Sequence, residues 1–377
     1  MKMDAVTKVG HSIIPSMLGM LRLFATLVVV CVASAAHAEV TLTDLKGRSV
    51  TLQKPASRLV VDDGRLIIAL SFLSNDPVSL VAAWPHDIDR FGREFYATYL
   101  AKFPAIGTLP KSTSNAQDMA VEQVIAARPD LLVLSLHSRP AEQQLAQLDE
   151  AGIPVVFVDF SADPFVNTDK SLEILGKAIG RDEQAAKVVA FRQDQRRLLA
   201  DRIAKAGAIR KPIVFMETHA STDEACCNSP GSGNVGRFID FAGGANIGAV
   251  LQGRPSGQIS LEYALATKPD VYIASGGQYM EKRGGLLVGP NYSASETQAS
   301  LDRLLARPGF SSLPAVGTGN VHAISQQLFN SPLDLLALEA IARWVQPDLF
   351  SDIDIEAVRQ GLNGFMAVPL TGAYWTK

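Results

Sequence analysis

Cysteine is scarce in this chain. Of 377 residues only three are cysteine, at 31, 226 and 227, so the disulfide framework that staples many small secreted domains cannot be built from them. Charge of one sign is also missing. The formal net charge is −3, without the basic excess that nucleic acid or an anionic membrane demands of a partner, and no partner of the first kind is expected. No run of like charges is long enough to make a disordered tail. The sequence contains no Gly-x-Ser-x-Gly, no His-Glu-x-x-His and no phosphate loop after its first strand, which removes the commonest hydrolase, metalloprotease and nucleotide-binding signatures. His86, His137, His219 and His322 are far apart, with no His-x3-His spacing, so a directly bound metal is not expected.

The first 38 residues differ from the rest. Lys2, Lys8 and Arg22 precede the apolar stretch LFATLVVVCVASAA, which ends in Ala36-His37-Ala38. A basic region, a short apolar core and small residues at the end describe a cleaved secretory signal peptide, and the apolar core falls short of the roughly 20 residues that a spanning helix needs. Cleavage is expected after Ala38, with the mature chain starting at Glu39 in an oxidising compartment. Cys31 leaves with the signal, so Cys226 and Cys227 could pair only with each other. They form either a disulfide between neighbours or two reduced, buried small residues.

The mature part alternates short β-branched runs with amphipathic stretches. Strands are predicted at 58–61, 78–84, 131–135 and 155–160, then at 212–218, 271–275 and 321–325. A helix is predicted over 141–152. Strands and helices in alternation imply parallel sheets with both faces covered, hence an α/β fold. The stretch 182–207 has no internal glycine or proline and is rich in helix formers. It is predicted to be one long helix between the two strand series, its apolar stripe carrying Val188, Val189, Phe191, Leu198, Leu199 and Ile203.

An internal repeat supports two lobes. EQVIAARPDLLVLS begins at Glu122 and EYALATKPDVYIAS at Glu262. Each glutamate should sit in the first turn of a short helix that the proline ends, behind a polar cap candidate, Asp118 or Ser260. The helix dipole favours a carboxylate there, which explains one glutamate by itself; the same device in both halves asks for more.

With the opening segment VTLTDLKGRSVTLQKPASRLVV, the two Glu-x6-Pro-Asp segments, GRFIDFAGGANIGA (236–249) and the closing stretch 310–350, the sequence resembles periplasmic substrate-binding proteins of ABC importers, in the class serving ferric siderophores, haem and cobalamin. The resemblance runs from about residue 40 to the end. It implies two Rossmann-like α/β lobes with parallel-rich sheets, bridged by a single long helix with the ligand in the cleft between them. The implied division is an N-terminal lobe over 39–165, a connecting segment over 166–207 and a C-terminal lobe over 208–377. It further implies a periplasmic monomer that is not an enzyme and has no intrinsic cofactor. Such a protein delivers a small-molecule iron chelate, an iron(III)-siderophore complex, to an ABC permease. Glu122 and Glu262 match the family's permease-docking positions. The chain departs from many relatives in DDGR (62–65), where they carry a serine-rich turn, and in its cysteine pair.

Ligands of parallel α/β sheets bind outside the carboxyl ends of the strands. The loops there offer Arg65, Arg90, Arg93, Tyr96 and Arg139 in the first half, and His219, Tyr279, Arg283 and Tyr292 in the second. Guanidinium groups beside aromatic rings suit the oxygens and planar groups of a ferric chelate, and Arg93 and Arg139 are the leading candidates. Phe91, Phe95 and Tyr99 are expected in the core, and His86 and His137 are weaker candidates. Haem would need an axial Tyr or His, for which Tyr96, Tyr279 or Tyr292 could serve. A thiol-disulfide oxidoreductase on Cys226 and Cys227 is the remote alternative, because adjacent cysteines lack the Cys-x-x-Cys geometry. The pair is expected instead on the cleft face, as a stiffened wall.

Overall fold

The computed structural model describes residues 39–112, 119–222 and 226–376, together with Met1 and Gly10. The signal segment with its cleavage point after Ala38, and the cap candidate Asp118, lie outside the described residues. Among the described residues no helix is long and apolar enough to cross a membrane.

A hairpin of β1 (Val40–Thr43) and β2 (Ser49–Leu52) opens the chain and pairs antiparallel. The first half then builds a four-stranded parallel sheet from β3 (Leu59–Val61), β4 (Val81–Ala83), β5 (Leu131–Ser135) and β6 (Val155–Val158), in the order β4-β3-β5-β6. The second half builds another from β7 (Ile213–Glu217), β9 (Ala245–Asn246), β11 (Val271–Gly276) and β12 (Val321–Ser325), in the order β12-β11-β7-β9. The short strands β8 (Asn228–Pro230) and β10 (Ser256–Gln258) pair with each other beside it. All seven predicted strands are present at these places, although the run at 78–84 spends its first turn as a 3-10 helix over Val78–Leu80. The fold is the expected α/β arrangement of parallel sheets.

The helices used below are α1 (Arg65–Ser71), α2 (Arg93–Lys102), α3 (Val121–Ala126), α4 (Glu142–Glu150), α5 (Asn167–Ala178), α6 (Asp182–Ala206), α7 (Leu261–Thr267) and α8 (Asp334–Val345). The long helix α6 runs unbroken for 25 residues, as its lack of glycine and proline requires, and ends where Gly207 takes a positive φ of 68°. Ser260 caps α7 by accepting from the Tyr263 N–H at 3.1 Å. The first-half helix α3 differs from the expectation. Its N-cap is Ala120, which offers no side-chain acceptor.

Alternation along the strands divides the core. Leu59, Val61, Leu131, Val133, Val156, Val158, Val214, Met216, Ile273 and Ile324 all face one continuous apolar cluster, which also takes Val188, Val189 and Leu199 of α6 and most of α8. The intervening residues face outward into smaller cores of their own. Val60, Leu132, Leu134 and Phe157 do so in the first half, and Phe215, Tyr272, Ala274 and Ala323 in the second. The strands are buried on both sides, which is why they read as unbroken apolar runs. The two sheets share one interior through α6 and α8.

Within that interior Glu339 of α8 is 1 % exposed and its Oε2 has no hydrogen-bond partner. Burial raises its carboxyl from 4.5 to about 8. The folded protein therefore holds this proton more tightly than the unfolded chain, and stability should fall as pH rises from about 4.5 toward 8, by on the order of 2–4 kcal/mol. Glu339→Gln should remove that part of the slope. Chemical denaturation of both proteins at pH 5 and pH 8.5 checks it, and parallel curves would show that Glu339 is not the titrating group.

Candidate functional site

The carboxyl ends of both sheets converge on one cleft. A cavity of about 310 Å³ lies there, lined by Arg65, Asp89 and Arg90 from the first half and by His219, Tyr279, Gln326, Gln327, Phe329 and Asn330 from the second. A small recess of about 20 Å³ shares Arg65 and Asn330 with it and is walled by Asp63, Ser135, His137 and Asp159. Asp63 follows β3, His137 follows β5, Asp159 follows β6, His219 follows β7, Tyr279 follows β11 and Gln326 follows β12. The lining is thus built from strand ends, where parallel sheets place their ligands.

Asp63 organises the first-half wall. It accepts a two-pronged contact from Arg65, Nε to Oδ1 at 3.0 Å and Nη2 to Oδ2 at 2.6 Å, and a third bond from Arg90 Nη1 at 3.2 Å. Burial alone would raise its carboxyl, but the guanidinium groups of Arg65 and Arg90 hold it well below the usual carboxylate range. Its neighbour Asp62 points the other way, accepting from the Ser135 N–H at 2.9 Å and from the Ser138 hydroxyl. Burial, only partly opposed by those donors, lifts it to about 6. Asp87 accepts from the Gly64 N–H at 3.0 Å, and burial with the nearby Asp63 charge raises it to about 7. Gly64 has no room for a side chain, because a Cβ there would stand 2.6 Å from Asp87 Oδ1.

On the opposite wall His219 Nδ1 and the Tyr279 hydroxyl are 2.6 Å apart. Burial and then the Arg283 charge lower the His219 pKa, so this imidazole is neutral at physiological pH. Gln326 accepts from the Ser275 hydroxyl at 2.6 Å. Asn330 holds a left-handed φ of 61° and accepts from Asn234 Nδ2 at 3.1 Å, a conformation that asparagine tolerates better than most residues.

Of the nine ligand candidates, Arg65, Arg90, His219 and Tyr279 are brought together on this cavity. Arg283 stands close enough to His219 to depress it. The others lie elsewhere. Arg93 opens α2, pairs with Asp89 at 3.3 Å and leaves 53 % of its side chain exposed. Arg139 is exposed on the loop after β5, outside the lining. Tyr96 stacks on Trp84 with ring centroids 6.0 Å apart, so its ring serves first-half packing. The Tyr292 hydroxyl is enclosed without a partner, and burial followed by the Glu281 and Glu94 charges raises it to about 12. His86 also belongs to the packing, stacked on Trp84 and bonded through Nε2 to the Leu109 carbonyl at 2.9 Å.

Sequence reasoning missed Gln326, Gln327 and Asn330, although the carboxyl-end rule applied to β12 reaches them directly. It also missed Glu94. This α2 residue is 7 % exposed and has one oxygen without a partner. Burial raises its carboxyl pKa.

The cysteine pair is not where it was expected. Cys227 is fully buried in the outer core of the second half and exchanges both backbone hydrogen bonds with Ile259 at 2.9 Å, while Cys226 is partly buried beside it. Neither lines the cavity. The two sulfurs are joined to each other and lie within 4.8 Å of a Glu217 oxygen. That carboxylate is engaged by the Tyr272 hydroxyl at 2.5 Å and by Arg307 at 2.8 and 2.6 Å. A guanidinium on the carboxylate and sulfurs without thiolate charge make a poor cation site.

Glu122 and Glu262 both project from first helical turns, on α3 and α7, and both are exposed. Each has an exposed apolar neighbour, Ile125 (39 %) and Tyr263 (36 %).

The family model for periplasmic binding proteins matches residues 71–328, while no curated protein sequence matches the chain. Among solved structures, the chain is similar to the TroA-like periplasmic binding protein FepB of Veillonella parvula. That pair has 25% identity and a TM-score of 0.80, and covers 89% of this chain and 99% of the other. The molybdate periplasmic binding protein MolA of Haemophilus influenzae shares the fold, with 18% identity, a TM-score of 0.67, and 88% and 99% coverage. So does a periplasmic heme binding protein of Pseudomonas aeruginosa, with 20% identity, a TM-score of 0.55, and 85% and 99% coverage. With its two strand-end walls, its unbroken connecting helix and a match over more than half its length, the chain belongs to the periplasmic binding protein family of ABC importers.

Proposed function

We propose that this protein captures a ferric siderophore complex in the cleft between its two sheets and hands it to an ABC permease through Glu122 and Glu262. The signal segment is cleaved after Ala38, the mature protein acts in the periplasm as a monomer, and it neither carries a cofactor of its own nor catalyses a reaction. The observation that carries the reading is the cavity of about 310 Å³ whose walls come from strand ends of both sheets. Arg65, Arg90, His219 and Tyr279 supply donors there, and Phe329 an apolar face. Among the described residues lining the cavity no nucleophile is held by a base and an oriented third group, the arrangement that an acyl- or phosphoryl-transfer enzyme would need. Its polar groups instead suit a ligand whose oxygens already wrap a metal.

A second reading, haem, is favoured by one feature. Tyr279 on the cavity wall is bonded to His219 at 2.6 Å, the kind of hydrogen-bonded tyrosine that could serve as an axial ligand. Titration of the purified protein with ferric siderophore complexes, haemin and cobalamin, followed by tryptophan fluorescence and the haem Soret band, separates these. Saturable quenching by a ferric complex with an unshifted Soret band is expected. A Soret shift lost in Tyr279→Phe, with no quenching by ferric complexes, would replace siderophore by haem.

A further inference from the structure

The arginines of the cleft are already engaged. Arg65 turns the fork of its guanidinium, Nε and Nη2, onto Asp63. Arg90 reaches the same carboxylate with Nη1 and lies 3.7 Å from Asp87 with Nε. An anionic ligand approaching these arginines meets guanidinium groups whose charge is already shared with a carboxylate that is 4 % exposed and held ionised by them.

The charges around the cavity and its recess give no positive excess. Arg65, Arg90, the nearby Arg283 and Arg93, which pairs with Asp89, are offset by Asp62, Asp63, Asp89 and Asp159. Asp159 is 3 % exposed and kept as an acceptor by the Ser161 and Ala162 N–H groups and by Asn167. Asp87 stands behind them and is partly ionised near neutrality. Among the described residues lining it, the opposite wall is made of the uncharged Gln326, Gln327 and Asn330 amides, the Tyr279 hydroxyl and a neutral His219, with Arg283 near His219. Such a wall offers hydrogen bonds to carbonyl-type oxygens without compensating a net negative charge.

We propose that the cleft selects a ferric chelate carrying no net negative charge, of the tris-hydroxamate kind, and that Asp63 sets this preference. Three hydroxamates cancel the charge of iron(III), whereas three catecholates leave a trianion. In a cleft with balanced charges Asp63 offsets Arg65 and Arg90, and Asp89 offsets Arg93, so these groups can still donate hydrogen bonds but give a trianion little net attraction. The proposal rests on the siderophore reading above and adds the class of siderophore to it.

Binding of the ferric complexes of a linear trihydroxamate and of a tris-catecholate to the purified protein, measured by fluorescence quenching, tests it. The neutral complex should bind at least about tenfold more tightly than the trianion. Asp63→Asn, which removes the carboxylate charge that offsets both guanidinium groups, should raise the ratio of trianion to neutral-complex affinity about tenfold. Asp89→Asn lies on the exposed rim and is expected to fold normally, so it serves where Asp63→Asn does not fold; it should narrow the preference in the same direction by a smaller factor. Equal or tighter binding of the trianion by the unaltered protein would overturn the charge preference while leaving the siderophore reading intact. Binding of neither complex, with haemin or cobalamin bound instead, would overturn the siderophore reading and the preference with it.

Discussion

Replacing Glu122 and Glu262 together by alanine should abolish import while leaving ligand affinity in solution within about twofold of the parent. Both carboxylates stand on exposed first turns, and neither lines the cavity. Glu262 makes only local contacts, to its own backbone N–H and then to the Ser260 hydroxyl, which keep its pKa below the ordinary value. The cost to folding should therefore be small. On the proposed docking role the cost to import should be large, because the two charges lie one in each half of the molecule and would together fix orientation on the permease. Charge pairs of this kind govern encounter and register, and their loss at both ends removes the alignment as well as the attraction. Ile125 and Tyr263 beside them add apolar contact that charges alone do not provide. Uptake of a radiolabelled ferric chelate by cells carrying the variant in place of the native protein should fall at least about a hundredfold, with either single variant in between. Normal import by the double variant would sink the docking assignment.

The largest stability effect is expected at Arg192, in the middle of α6. Its side chain is 1 % exposed and joins three parts of the chain. Nε donates to Asp169 of α5 at 2.8 Å, Nη2 to Asp334 at the start of α8 at 2.8 Å, and Nη1 to the Pro332 carbonyl. Thr168 donates to the second oxygen of Asp334 at 3.0 Å, and Arg196 also pairs with Asp169. Every strong donor and acceptor in the cluster is matched, the condition under which buried charges are tolerated. Arg192→Ala strands the Asp334 carboxylate without a cation and opens a cavity, and should cost about 3–5 kcal/mol. The urea midpoint by circular dichroism should drop accordingly. Arg192→Met combined with Asp334→Asn removes the two buried charges together, leaves Asp169 paired with Arg196, and should recover much of the loss. If the double variant is no more stable than Arg192→Ala, unpaired charge is not the cause.

The sequence disclosed elements better than partners. The seven strands were legible because each is buried on both faces and so reads as an unbroken apolar run, and α6 because nothing in 182–206 interrupts a helix. The three-residue strands β8 and β10 were not, since Asn228–Pro230 and Ser256–Gln258 carry turn-like residues and exist only through pairing with each other. At the cleft, residue type located Arg65, Arg90, His219 and Tyr279, but could not show that Asp63 occupies both arginines. That fact depends on β3 and the turn before α2 lying side by side. Glu94 looks like an ordinary exposed helix residue in REFYATYLAK, and its burial depends on tertiary packing that the helix sequence does not show. Cys226 and Cys227 suggested a cleft wall by their place after β7, whereas the pairing of β8 with β10 carries Cys227 into the outer core.

One consequence of the common interior concerns traffic at the membrane. Two sheets that face a single apolar cluster, with α6 and α8 clasped by Arg192, have little freedom to swing apart. An unloaded molecule would then present Glu122 and Glu262 at nearly the spacing of a loaded one. Empty carriers would queue for the same permease as full ones, so transport should be fastest when cargo outnumbers carrier, and overproducing the protein in scarce iron should slow delivery.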